Sequence, residues 1–172
     1  LAQRLDPEQV YELMDGLLRR CTEVVAAHGG RVLQYAGDNL LAAFGADGAR
    51  EDDAERAVRA GLALIAEGAA FGQRVRRDHA HEGCHVRVGV HTGPVLLGGG
   101  VEDDGSIRGQ AVNIAARMEQ TAAAGGLRIS HDTWMGVRGL FDVQAQPPIA
   151  VKGVDEPLAT YLVQAAKPRS FR

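Results

Sequence analysis

The chain has 172 residues, 45% of them hydrophobic and 24% charged, with a formal net charge of −3. Such a length suits one domain with a buried core, the hydrophobic share excludes a disordered chain, and the mildly acidic balance excludes an electrostatic footprint for nucleic acid or an anionic membrane. No apolar run approaches the ~18 residues of a membrane span, no signal peptide opens the chain, and Cys21 and Cys84 fit a reducing compartment, so a cytoplasmic location is expected.

Residues 6–26 predict the first helix. Asp6 can cap it, Pro7 suits its first turn and Gln9 completes a capping-box pattern, while Val10, Leu13, Met14, Leu17, Leu18, Cys21, Val24 and Val25 recur at helical spacing. This apolar face needs a sheet to pack on, and no strand precedes it. RVLQY (31–35) and NLLAAF (39–44) predict a β-hairpin whose tip, Ala36-Gly37-Asp38, carries a carboxylate. Asp52 or Asp53 opens a second helix with Ala57, Val58, Gly61, Leu62 and Ile65 on its buried face. RVRRDHAHEGC (74–84) reads as a polar surface connection into HVRVGVH (85–91), which alternates like a half-buried strand. Residues 93–109 predict a glycine-rich hairpin, AVNIAARMEQTAA a short helix, LRIS a strand and HDTWMGVRG a brief helix. PPIAVKGVDEPLATYLVQA predicts a final pair of short strands. The expected class is α+β, a ferredoxin-like antiparallel sheet with helices on one side.

Several side chains invite a chemical reading. Asp38 reads as a turn carboxylate or as a hard-oxygen ligand for Mg²⁺ bridging phosphates. Asn113 and Arg117, four apart in VNIAAR, share a helix face, either as solvated polar groups or as donors to a ribose and a phosphoryl group. Lys152, before a glycine, reads as a surface charge or a phosphate clamp. The 93–105 glycines have the spacing of neither a Walker loop nor a dinucleotide fingerprint. His79, His81, Cys84 and His85 lie too close together for the usual zinc geometry, so a polar surface segment is expected there.

Taken in order, LDPEQVYELMDGLL, GGRVLQYAGDNLLAAFG, DDAERAVRAGL, VRVGVHTGPVLLGG, GQAVNIAARME and VKGVDEPLATYLV resemble the class III nucleotidyl cyclase catalytic domain over nearly the whole chain. The resemblance implies a head-to-tail homodimer with active sites at the interface, and two Mg²⁺ or Mn²⁺ ions held by two aspartates. The implied reaction is cyclisation of a nucleoside triphosphate with release of pyrophosphate. Asp38 matches the second metal aspartate, Asn113 and Arg117 the pair that orients ribose and stabilises the transition state, and Lys152 the lysine on the terminal phosphates.

Two departures bear on function. The family's opening strand, with the first metal aspartate, has no counterpart, so this chain alone is expected to be inactive and the natural product to extend upstream, as the missing initial Met also suggests. At the purine-facing positions, adenylyl cyclases commonly place Lys with Asp or Thr, and guanylyl cyclases Glu with Cys. Here stand Gln34 and Ser106, each able to donate and accept. The expected parent activity is ATP to 3′,5′-cyclic AMP, with GTP as a possible competitor. The alternative is a degenerate cyclase-homology module that binds nucleotide or dimerises to regulate an attached domain. The catalytic domain is expected to span residues 1–164, with 165–172 as a linker towards a downstream domain.

Overall fold

The Asp6 carboxylate accepts from the Gln9 amide at 2.8 Å, and Gln9 Oε1 accepts from the Asp6 amide at 3.1 Å, closing the capping box that starts α1 (Pro7–Ala27). The structure, a computed structural model, describes residues 6–79, 85–97 and 107–168, with 79, 96, 97, 107 and 108 described by backbone alone. After α1 come β1 (Arg31–Ala36), β2 (Asn39–Ala43), α2 (Asp53–His79), β3 (Val88–Val90), β4 (Leu96–Leu97) and β5 (Ile107–Arg108). Then follow α3 (Gln110–Thr121), β6 (Leu127–Ser130), α4 (His131–Val137), β7 (Phe141–Ile149) and β8 (Leu158–Ala166).

The apolar face of α1 packs on α2 and also meets the hairpin, whose Leu40 joins the same cluster. Leu17 and Cys21 are buried with Phe71 and Val75 of α2, and Arg20 bridges to Glu67 at 3.1 Å across the same interface. This corrects the reading of RVRRDH as a connection. Phe71 and Val75, one turn apart, continue the buried stripe while Arg74, Arg76 and Arg77 face solvent, so the segment is the last part of a 27-residue helix. Beside that interface Thr22 Oγ1 and Tyr35 Oη of β1 are 2.6 Å apart.

β1 and β2 form their own antiparallel sheet, closed by the two-residue turn Gly37-Asp38 between the paired Ala36 and Asn39. A second sheet has the order β3-β6-β8-β7. The α+β class stands, with two differences in detail. β3 runs parallel to β6, because the chain between them crosses over through α3. Helices also cover both faces rather than one. Leu127 and Ile129 of β6 pack with Val58 of α2 and Val137 of α4, whereas Arg128, between them, reaches the Thr121 carbonyl of α3. Register places Gly89 beside Arg128, and α3 lies directly over both. All four residues of β6 are buried as a result.

Two strand boundaries move. The 85–91 strand is regular only over Val88–Val90. The last pair is long rather than short, since β7 begins at Phe141 and places Pro147 and Pro148 near its end. β7 is an edge strand, where a missing N–H costs least. β8 continues through Ala166, one residue past the strand read from the sequence. Among the described residues no helix is long and apolar enough to cross a membrane.

Candidate active site

α3 carries two faces. Ile114 and Met118 are buried, packed with Val151 from the β7–β8 connection, while Asn113 and Arg117 are exposed on the adjacent face. Val151 begins a turn closed by a 3.0 Å bond from the Val154 amide to the Val151 carbonyl. Gly153, third in that turn, has φ of 87°, which a side chain rarely adopts, and Lys152 sits second. The Gly153 carbonyl accepts a 2.7 Å hydrogen bond from Gln110 Nε2, at the first residue of α3. Asn113, Arg117 and Lys152 are therefore carried by one packed unit. Gln110 escaped the sequence reading, because a side chain bonded to a distant carbonyl leaves no pattern in spacing.

Beneath that unit the supports are polar and paired. Arg128 is only 8% exposed and donates to three neutral oxygens: Nε to Thr160 Oγ1, and its two terminal nitrogens to the Thr121 and Pro147 carbonyls, each at 2.9 Å. Burial pushes its pKa down, and the charge of Arg117 adds to that. It ties the C-terminal turn of α3 to the end of β7. Past β3, His91 Nδ1 lies 2.6 Å from Ser130 Oγ, and Thr92 Oγ1 lies 2.9 Å from the fully buried Thr133 Oγ1. Desolvation pushes the His91 pKa down, and Asp132 offsets part of it. These residues also went unread in the sequence.

Gln34 and Asp38 belong to the hairpin. Asp38 is exposed at its tip, and Gln34 is exposed on β1 opposite Leu41, immediately after a bulge between Val32 and Gln34. Bulges re-aim the side chains that follow them. No hydrogen bond or ion pair among the described residues links either side chain to α3. Ser106 lies outside the described residues, as do His81 and Cys84. Cys21 is buried, and burial pushes its thiol pKa up.

Among the described residues no group of three or more His, Cys, Asp or Glu is arranged to hold a metal ion. A lone exposed carboxylate such as Asp38 still fits Mg²⁺ or Mn²⁺ in part. Mg²⁺ takes one or two protein carboxylates and completes its octahedron with substrate phosphates and water.

The fold as a whole has close counterparts among solved structures. The chain matches the adenylyl cyclase CyaB from P. aeruginosa with a TM-score of 0.88 and 27% identity, covering 96% of this chain and 87% of that one. It matches the guanylate cyclase domain of RhGC from Catenaria anguillulae, solved in complex with GTP, with a TM-score of 0.82 and 28% identity over 96% and 89% of the two chains. The fold is thus that of the class III nucleotidyl cyclases. Among curated proteins, "Adenylate cyclase 1" of Rhizobium meliloti (strain 1021) is 32% identical over 122 residues, which are 69% of this chain and 18% of that protein's length. The family model described as the adenylate and guanylate cyclase catalytic domain matches residues 1–165, and the chain belongs to that family.

Proposed function

We propose that this domain belongs to an enzyme that converts ATP to 3′,5′-cyclic AMP and pyrophosphate at a homodimer interface, in the cytoplasm. The observation that carries this reading is the unit formed by α3 and the 151–154 turn, which keeps Asn113, Arg117 and Lys152 together on one support. In this reading Lys152 binds the terminal phosphates as a mobile point charge. Arg117 stabilises negative charge on the phosphoryl group as the bond to pyrophosphate breaks, and Asn113 holds the ribose so that its 3′-oxygen faces the α-phosphorus. Asp38 would hold Mg²⁺ or Mn²⁺, which when bound supplies charge neutralisation on the triphosphate and acidifies the 3′-hydroxyl. Gln34 and Ser106 face the purine. A carboxamide and a hydroxyl can each turn to donate or accept, so the preference for ATP over GTP is modest.

The test is cyclic-nucleotide production by the full-length protein with ATP or GTP and Mn²⁺. Cyclic AMP that disappears in Asp38→Ala supports the enzyme and its metal carboxylate together. No product from folded, dimeric protein favours the regulatory module instead. A large, clean preference for GTP overturns the substrate assignment.

A further inference from the structure

We propose that Gln110 is the positioning residue for Lys152. The inference rests on the reading that Lys152 holds the terminal phosphates, and it adds how that lysine is held in place.

A lysine ammonium stands at the end of a flexible four-carbon stem, so its mean position is set by its backbone and by little else. The backbone at Lys152 is fixed on two sides. On the inner side Val151 is buried among Ile114 and Met118. On the outer side the Gly153 carbonyl accepts from Gln110 Nε2 at 2.7 Å. Both anchors are on α3, so the turn moves with the helix that carries Asn113 and Arg117. Without the Gln110 bond the turn keeps the packing of Val151 and the partly buried Val154 at its two ends, while the Lys152-Gly153 segment between them loses its polar anchor.

The bond is exposed, so it adds little to global stability. Its position is informative instead. Gln110, Asn113 and Arg117 lie at helical spacing on the exposed face of α3, which makes the contact an extension of the site face rather than of the core. The neighbouring glycine leaves room for it: a Cβ on Gly153 would stand 3.0 Å from Gln110 Nε2.

The test is a double-mutant cycle on the full-length protein. It compares the parent, Gln110→Ala, Lys152→Ala and the double variant, reading KM and kcat with ATP and Mn²⁺ and the Kd for inorganic tripolyphosphate. Gln110→Ala is expected to raise both KM and the tripolyphosphate Kd about fivefold, the worth of one neutral hydrogen bond. The melting temperature is expected to stay unchanged. Lys152→Ala is expected to raise them about tenfold, and the double variant no further than Lys152→Ala alone, because Gln110 acts through Lys152. Gln110→Met, close in size and uncharged but without the donor, is expected to behave as Gln110→Ala. Amide exchange at Val154, the donor of the turn bond, is expected to quicken in Gln110→Ala while exchange in α1 and α2 does not.

Additive effects in the double variant, or unchanged Val154 exchange, overturn the role of Gln110. If Lys152→Ala weakens tripolyphosphate binding and Gln110→Ala does not, the inference falls while the lysine assignment survives. If Lys152→Ala leaves tripolyphosphate binding unchanged, the phosphate reading itself falls and takes the inference with it.

Discussion

A Cβ built on Gly89 would stand 2.2 Å from the backbone nitrogen of Glu119 and 2.7 Å from the carbonyl oxygen of Ala115. β3 and α3 therefore meet backbone to backbone, with no side chain between them that could give way. Gly89→Ala must push α3 off the sheet, and with it the face that carries Asn113 and Arg117. The expected cost is at the upper end of the about 1–3 kcal/mol typical of overpacking, read as a lower denaturant midpoint, with turnover falling alongside. Gly61→Ala is the control. There the nearest atoms are the two terminal methyls of Leu127 at 3.0 Å, which can shift, so the loss should be clearly smaller. Equal losses in the two variants would contradict the backbone contact.

Arg56 holds the start of α2 to the end of α1. One terminal nitrogen donates to the His28 carbonyl at 3.2 Å and to the Gly29 carbonyl at 3.3 Å, the guanidinium pairs with Asp53 and Asp52, and it lies over the Phe44 ring. Arg56→Met keeps much of the stem packing and removes every donor. The expected destabilisation is about 1–3 kcal/mol by chemical denaturation, set by the part-buried His28 carbonyl and Asp53 carboxylate left without their partner, the exposed Gly29 carbonyl being open to water. A loss that vanishes in high salt would mean that the exposed charges, rather than these hydrogen bonds, carry the effect.

His91 gives stability a pH dependence of known sign. Burial favours its neutral form in the folded state, so its folded pKa lies below the ordinary histidine value near 6.5. As pH falls below about 6.5, the unfolded chain binds this proton first, and the folded state loses stability until pH reaches the folded pKa. The contribution is complete above that ordinary value. His91→Asn, whose amide can take the place of Nδ1 facing Ser130 Oγ, should flatten this part of the curve between pH 7 and pH 5. An unchanged slope would assign the dependence to other groups.

The parts legible in the sequence were those with a local period. The α1 cap is written in Asp6, Pro7 and Gln9, and the hairpin in two apolar runs around Gly37-Asp38, where local chemistry alone decides the structure. The end of α2 was harder, since Phe71 and Val75 supply one buried residue per turn among arginines, too sparse a stripe to read. β7 hid for a different reason. Its burial is irregular, and its two prolines speak against a strand until the sheet order reveals an edge. The site divided the same way. Asp38, Asn113, Arg117 and Lys152 are singled out by the resemblance to the cyclase family, whereas Gln110, His91 and Arg128 act through partners 39 or more positions away, or through carbonyls that spacing does not encode.

Asn113 and Arg117 are exposed, so their truncation should leave folding nearly intact while turnover collapses. Arg117→Ala has a further reason not to destabilise: its charge lies near the buried Arg128, whose partners are three neutral oxygens, so removing it relieves repulsion. The unfolding free energy of either alanine variant should therefore stay within about 0.5 kcal/mol of the parent. If the two groups stabilise charge and orient ribose, each loss should lower kcat by about 10²–10³ with a smaller change in KM, the pattern of an interaction made chiefly in the transition state. Arg117→Lys should recover little of it, because an ammonium cannot reproduce the planar two-pronged contact of a guanidinium with phosphoryl oxygens. Turnover that survives in both alanine variants would remove these residues from the chemistry and leave α3 a structural helix.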